Sequence, residues 1–310
     1  MTVLEKAAAK MKKYRVPYRT ECAFNELTTL GTGGKIYLTI APENARQLVW
    51  AAKYLSRRQI PHCFVGYGSN ILASDDFYEG VAVVTKGVKG CVFHDGTVTA
   101  QCGLSTSALC SKLVNAGLCG GEFFGCLPAT VGGATVCNAG CFGQSVQDVV
   151  KSVTLLEKGK LRRIEAKDCR FSKRNSLFKQ SGCLVLQTEM VFGRDNPQRI
   201  QSRLSAMRRY KALTQPLGCR SAGCVLFHPT ISLSPLIERA GLKGFRIGGA
   251  EVSQKHAGFI VNVDKASSAD VYLLIRHVKK ALCEMGVNAM TEVCLINFPP
   301  KEQQCPFPVR

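Results

Sequence analysis

A short apolar stretch, Cys63-Phe64-Val65, enters Gly66-Tyr67-Gly68-Ser69-Asn70 and leaves it as Ile71-Leu72-Ala73. A doubly wound dinucleotide fold would place a third glycine and an amphipathic helix there, and this chain has neither. Backbone N–H groups of such a turn can still point inward, and Ser69 and Asn70 add side-chain partners for an anion, so the segment predicts a phosphate nest outside the doubly wound class. The alternative is an ordinary tight turn. Elsewhere strands and helices alternate irregularly. Lys35 to Ile40 reads as a strand, and Ala45, Leu48, Val49, Ala52 and Leu55 follow the helical period. Asp95-Gly96 and Lys158-Gly159 predict hairpins, and Ser105 or Thr106 caps a helix ending near Gly117. A strand is expected over 183–192, and Asn196-Pro197 opens a basic helix over 198–211. A short helix around Leu236 to Ala240, a strand at Phe259 to Val263, a helix over 268–285 behind the Ser267/Asp270 capping box, and a closing strand from Thr291 to Ile296 complete a mixed α+β pattern without repeats.

With 310 residues, 46% of them hydrophobic, the chain can bury a sizeable core without covalent staples. Its net charge of +19 draws anionic partners, whether nucleic acid, phospholipid head groups or a phosphorylated metabolite. The densest basic run, Arg199, Arg203, Arg208, Arg209 and Lys211, has no interleaved aromatics for stacking bases and reads as a solvated helix face. Among the 16 cysteines there is no C-x-x-C pair, so no metal is expected. The first 20 residues are basic and lack an apolar signal core, which points to reduced thiols in the cytoplasm. No apolar run approaches the roughly 18 residues that span a bilayer.

A second glycine region runs Gly125-Cys126-Leu127-Pro128-Ala129-Thr130-Val131-Gly132-Gly133-Ala134 and on through Asn138-Ala139-Gly140-Cys141-Phe142-Gly143. Glycine at this density allows backbone to approach a bulky ligand, or else allows strands to pack closely. It lacks the Gly-Lys-Ser/Thr ending of a P-loop. Together the two regions suit an extended cofactor with a pyrophosphate and a flat ring system. Three polar residues stand out besides: Arg174 in Phe171-Ser172-Lys173-Arg174-Asn175-Ser176, Cys224 in a segment rich in glycine and proline, and Glu292 in an apolar stretch. They suggest a cation, an acid and a carboxylate. Taken singly, Cys224 would be a small buried hydrophobe, Glu292 a solvent-facing strand residue, and His256 a satisfied core histidine.

These residues resemble the UDP-N-acetylenolpyruvoylglucosamine reductases, also called UDP-N-acetylmuramate dehydrogenases. The likeness runs from Asn25 to about Ile296. It includes Thr28-Thr29-Leu30-Gly31-Thr32-Gly33-Gly34, Gly66 to Asn70, Pro128 to Ala134 with Asn138-Ala139-Gly140, Arg174-Asn175-Ser176, and Gln215-Pro216 leading to Cys224. Ala240-Gly241-Leu242-Lys243-Gly244, Val252-Ser253-Gln254-Lys255-His256-Ala257 and Asn262 follow in the same order. The resemblance implies a vanillyl-alcohol-oxidase-type (PCMH-type) FAD-binding fold of two α+β lobes, about 21–85 and 86–197, and a C-terminal α+β substrate-binding domain over 198–300. A basic segment over 1–20 and a tail over 301–310 flank them. It implies a cytoplasmic enzyme, expected to be a monomer, in which NADPH reduces FAD and FAD reduces a UDP-sugar enolpyruvyl ether during cell-wall synthesis. The expected catalytic residues are Arg174, Cys224 and Glu292. Gly66, Tyr67, Gly68, Ser69, Asn70, Pro128, Ala129, Thr130, Gly132, Gly133, Asn138 and Gly140 are expected around the cofactor, and Tyr210, Arg220 and His228 near the substrate.

Cys224 stands where many members have serine, Lys173 where tyrosine is common, and Phe227-His228 where Lys-Asn is usual. Hydride addition to an enolpyruvyl ether leaves negative charge on the carbon beside the carboxylate; a fixed guanidinium stabilises it, and a thiol of pKa roughly 8.5 remains protonated to quench it. Two other functions stay in view. One is a different flavin oxidoreductase of the same fold, which would need a substrate base; the other is a basic nucleic-acid-binding protein.

Overall fold

A computed structural model describes residues 2–181 and 183–299; the expected tail over 301–310 lies outside them. The chain forms two compact units. Among the described residues, one comprises 2–20, 38–67 and 80–211 (without 182), the other 21–37, 68–79 and 212–299.

The first unit is built on a five-stranded antiparallel sheet, ordered Lys160–Glu165, Val150–Glu157, Leu184–Val191, Thr97–Gln101, Cys91–His94. Both predicted hairpins form, with Asp95 and Gly96 at φ 44° and 76° and Lys158 and Gly159 at 47° and 76°. Those positive angles are what a two-residue turn needs to match strand twist. Ser105 caps the helix Thr106–Asn115 by accepting from Ala108 N–H, and Leu109 and Leu113 enter a core with Val98, Phe123, Phe124, Val153 and Met190. The basic helix runs Pro197–Thr214, with Ile200 and Leu204 buried. Its cations are not simply solvated. Arg203 bridges Glu122 and Asp195, while Arg208 and Lys211 donate to the carbonyls of Gly125 and Cys126.

A further helix, Val3–Lys13, stands where the sequence suggested only a basic segment. Thr2 and Glu5 form its capping box, and Ala7 and Met11, four apart, are its buried face.

The second unit carries a four-stranded sheet ordered Arg220–Cys224, Phe259–Asn262, Ala250–Val252, Arg246–Ile247. The helix Ser268–Glu284 begins with the expected Ser267/Asp270 box and buries Val271, Leu274, Ile275, Val278 and Leu282. The closing strand is not continuous. Met290–Thr291 pairs antiparallel with Leu226–Phe227, and Cys294–Ile296 pairs parallel with Ile71–Ala73. Between the halves the chain changes partner, and Glu292 sits in the break. No helix among the described residues is long and apolar enough to cross a membrane, and no cluster of metal-ligand side chains occurs among them.

Candidate active site

Cys224 ends the strand Arg220–Cys224 immediately after a bulge, where the register against Phe259–Asn262 shifts between Ser221 and Cys224. Gly223 makes the bulge with φ 75°, a conformation that costs a side-chain-bearing residue energy. Such a bulge re-aims the next side chain. A β-carbon at Gly258 would stand 3.2 Å from Cys224 Sγ and 3.1 Å from the His256 ring, so thiol and imidazole flank the same small gap. His256 Nδ1 accepts the Gly258 N–H at 3.2 Å and lies 3.5 Å from Ser234 Oγ. Sequence reasoning left His256 among core histidines, since the contact depends on a strand crossing that spacing does not reveal.

Glu292 belongs to the same unit. Its backbone N–H donates to the Val225 carbonyl at 2.8 Å, one residue beyond Cys224. Its own carbonyl accepts from Asn70 Nδ2 at 3.2 Å, and Asn70 O accepts from Cys294 N–H at 2.9 Å. The predicted acid and carboxylate are thus held by one local ladder, and Asn70 is tied to that ladder. Ahead of it in the turn, the Gly68 carbonyl accepts the Thr29 N–H, and a side chain at Gly68 would collide with the Leu27 carbonyl. Thr29 Oγ1 in turn donates to Ser221 O at 2.6 Å. Arg220 is exposed, with its aliphatic stem against Gly31, and His228 Nδ1 accepts from the backbone of Thr230 at 3.3 Å.

Arg174 lies in the first unit. Ser172 and Asn175 exchange backbone hydrogen bonds of 3.1 Å, making Lys173-Arg174 the tip of a tight turn, with Arg174 at φ 59°. The guanidinium donates to Gly140 O at 3.0 Å. Asn138 anchors the turn: its Nδ2 donates to Ser172 O and Gln147 Oε1, and its Oδ1 accepts from Gln147 N–H. The buried Asn138 amide is therefore engaged within the chain, and its contribution to the glycine loop is positional. Tyr210, 60% exposed, meets Phe142 of that loop edge-on at 5.7 Å.

Gly66 ends the strand His62–Val65, and a β-carbon there would fall 2.5 Å from Thr130 Oγ1. The two glycine regions meet at that point. Thr130 caps the helix Val131–Val136 by accepting from Gly133 N–H, while the Val131 and Gly132 N–H groups donate to Leu104 and Cys102 carbonyls. Gly132 accordingly serves close packing on Cys102, the second of the two readings of this segment. Exposed Pro128, Gly133 and Tyr67 stand around the junction, with Lys86 Nζ 5.1 Å from the Tyr67 ring centroid. Small backbone, an exposed ring and a cation at a strand end fit a flavin nucleotide.

Comparison with known proteins bears on both units. The FAD binding domain family matches residues 37–165, and the family described as UDP-N-acetylenolpyruvoylglucosamine reductase, C-terminal domain, matches 215–296. A UDP-N-acetylenolpyruvoylglucosamine reductase of Syntrophomonas wolfei is 34% identical, covering 87% of this chain and 92% of its own length. One from Anoxybacillus flavithermus is 35% identical over 87% of this chain and 91% of its own. The crystal structure of the corresponding Thermus caldophilus reductase aligns with TM-score 0.76 at 27% identity, over 91% of this chain and 99% of that one.

Proposed function

The chain belongs to the UDP-N-acetylenolpyruvoylglucosamine reductase family and is an FAD-dependent oxidoreductase of peptidoglycan-precursor synthesis, in which we propose that NADPH is the reductant and Cys224 the proton donor. Its FAD-binding α+β fold agrees with the sequence expectation. The observation that carries the proposal is the shared anchoring of Cys224 and Glu292, through the Val225–Glu292 hydrogen bond behind the Gly223 bulge.

Gly66, Tyr67, Gly68, Ser69, Asn70, Pro128, Ala129, Thr130, Gly133 and Gly140 would hold FAD, with Gly132 and Asn138 fixing the shape of the loop. Bound FAD would supply hydride transfer from NADPH to the methylene carbon of the enolpyruvyl ether. Arg174 offsets the charge that develops next to the carboxylate, an effect that grows where water is excluded. Cys224 then gives its S–H proton to the carbon beside the carboxylate, completing a saturated lactyl ether, and regains a proton from solvent. Glu292 hydrogen-bonds the intermediate or balances Arg174. Tyr210, Arg220 and His228 contact the UDP-sugar. Residues 21–197 serve the flavin and 198–300 the substrate, a division within which both family matches fall. The enzyme works as a monomer in the cytoplasm.

NADPH oxidation by the purified flavoprotein tests the reading. It should require the UDP-sugar enolpyruvyl ether and yield UDP-N-acetylmuramate in equal amount. NADPH oxidation at the same rate without the sugar would count against it.

A further inference from the structure

A cleft of about 310 Å³ lies within the first unit, lined by Lys10, Tyr14, Trp50, Lys53, Tyr54, Arg57 and Arg58. Lys10 and Tyr14 come from the end of the helix Val3–Lys13, and the others from the helix Ala45–Arg57 and its cap. Gln47 Nε2 donates to Arg15 O at 2.9 Å and ties the two walls together. The rings form a short stack: Tyr14 and Trp50 have centroids 4.0 Å apart at 27°, and Trp50 and Tyr54 5.6 Å apart at 17°. Tyr14 is 48% exposed, which leaves ring surface open to a further flat group.

None of the lining residues is acidic, and among the described residues Lys10, Lys53, Arg57 and Arg58 pair with no carboxylate. A cation at each helix end complements the terminal carbonyls; four cations around one cleft of stacked rings exceed that need. Guanidinium groups suit phosphate oxygens bidentately, and exposed ring faces suit bases. The cleft and the glycine loop lie at opposite ends of one strand. Arg57 and Arg58 precede the strand His62–Val65, whereas Gly66 leaves its other end.

We propose that this cleft is a second ligand site, distinct from the redox centre, and that it takes a nucleoside polyphosphate. The base stacks on the Tyr14–Trp50–Tyr54 set while Lys10, Lys53, Arg57 and Arg58 receive the phosphates. A single nucleotide fits better than a nucleic-acid strand, because the rings stack on one another at one place instead of spacing themselves along a groove, and the volume is at the small end of ligand pockets.

Trp50 is the only tryptophan of the chain, so its emission reports this cleft directly. The FAD-loaded full-length protein is titrated with ATP, with tripolyphosphate, and with a single-stranded oligoadenylate. ATP should quench or shift the emission saturably and bind more tightly than tripolyphosphate, and saturating ATP should not compete with NADPH in reducing the flavin. The double variant Arg57→Ala, Arg58→Ala should weaken ATP at least about tenfold, the loss of one charge-assisted hydrogen bond, while flavin absorbance and circular dichroism stay unchanged. Equilibrium dialysis of Trp50→Phe with labelled ATP should show binding retained. Absence of saturable ATP binding would overturn the proposal. So would equal affinity for tripolyphosphate, tighter binding of the oligoadenylate per site, or competition of ATP with NADPH in reducing the flavin.

Discussion

At the scale of single residues, Cys224 depends on two glycines with different duties. Gly223 supplies a left-handed backbone angle, and Gly258 supplies space beside the thiol. Alanine at 258 would put a methyl group 3.2 Å from Cys224 Sγ and 3.1 Å from the His256 ring, tight enough that one of them must shift by a few tenths of an ångström. Overpacking of this kind costs about 1–3 kcal/mol. Gly258→Ala should therefore slow reoxidation of the reduced flavin by substrate while leaving its reduction by NADPH at the parental rate, as rapid mixing would show; unaltered reoxidation would mean that thiol placement does not matter. Cys224 could be singled out as a candidate acid only through family likeness, because one cysteine among sixteen carries no signal of its own. His256 could not be found that way, since its nearness to Cys224 comes from the pairing of two strands.

At the scale of elements, local signals served well wherever the cause of the structure was local. Asn-Pro, Asp-Gly and Lys-Gly pairs and the Ser267/Asp270 box all sit where they were expected. The Thr2/Glu5 box and the Ala7–Met11 spacing offered the same kind of signal for the first helix, and went unread beneath the density of positive charge. The break at Glu292 had no such signal: its alternation with Val293 and Leu295 is that of a plain strand, and the interruption arises because the flanking pairs use different partners. Asp270 allows an acid-dependence test at this scale. Burial opposes its ionisation, but the N–H groups of Ser267 and Gly249, with the Ser267 hydroxyl, hold the carboxyl below its usual range. A carboxyl depressed in the folded state stabilises above the unfolded value, near pH about 3.9, and its contribution is lost as pH falls through the folded value. Asp270→Asn should cost about 1 kcal/mol at neutral pH, with the gap from the parent narrowing below about pH 4 in urea melts. A gap that stays constant on acidification would show that charge at Asp270 is not responsible.

At the scale of the molecule, two separate cores account for two compact units, and the chain passes between them several times. Such an interleaved division is not visible in a linear reading, which divides the chain only by order. Among the described cysteines, burial separates shielded thiols from accessible ones. Burial pushes Cys102 and Cys169 up to about 12 and Cys110 up to about 11, whereas Cys219 and Cys283 are exposed. Alkylation of the native protein near neutral pH should mark Cys219 and Cys283 and spare the three buried thiols until unfolding, by peptide mapping; Cys102 reacting as fast as Cys219 would contradict the packing. Gly66 and Thr130 lie in one unit, and Cys224 and Glu292 in the other. The most direct test is the pair of half-reactions in Cys224→Ala, followed by flavin absorbance in stopped flow. NADPH should bleach the flavin at the parental rate, the enolpyruvyl sugar should fail to restore its colour, and Cys224→Ser should recover part of that step. Reoxidation of Cys224→Ala at the parental rate would show that the proton comes from elsewhere.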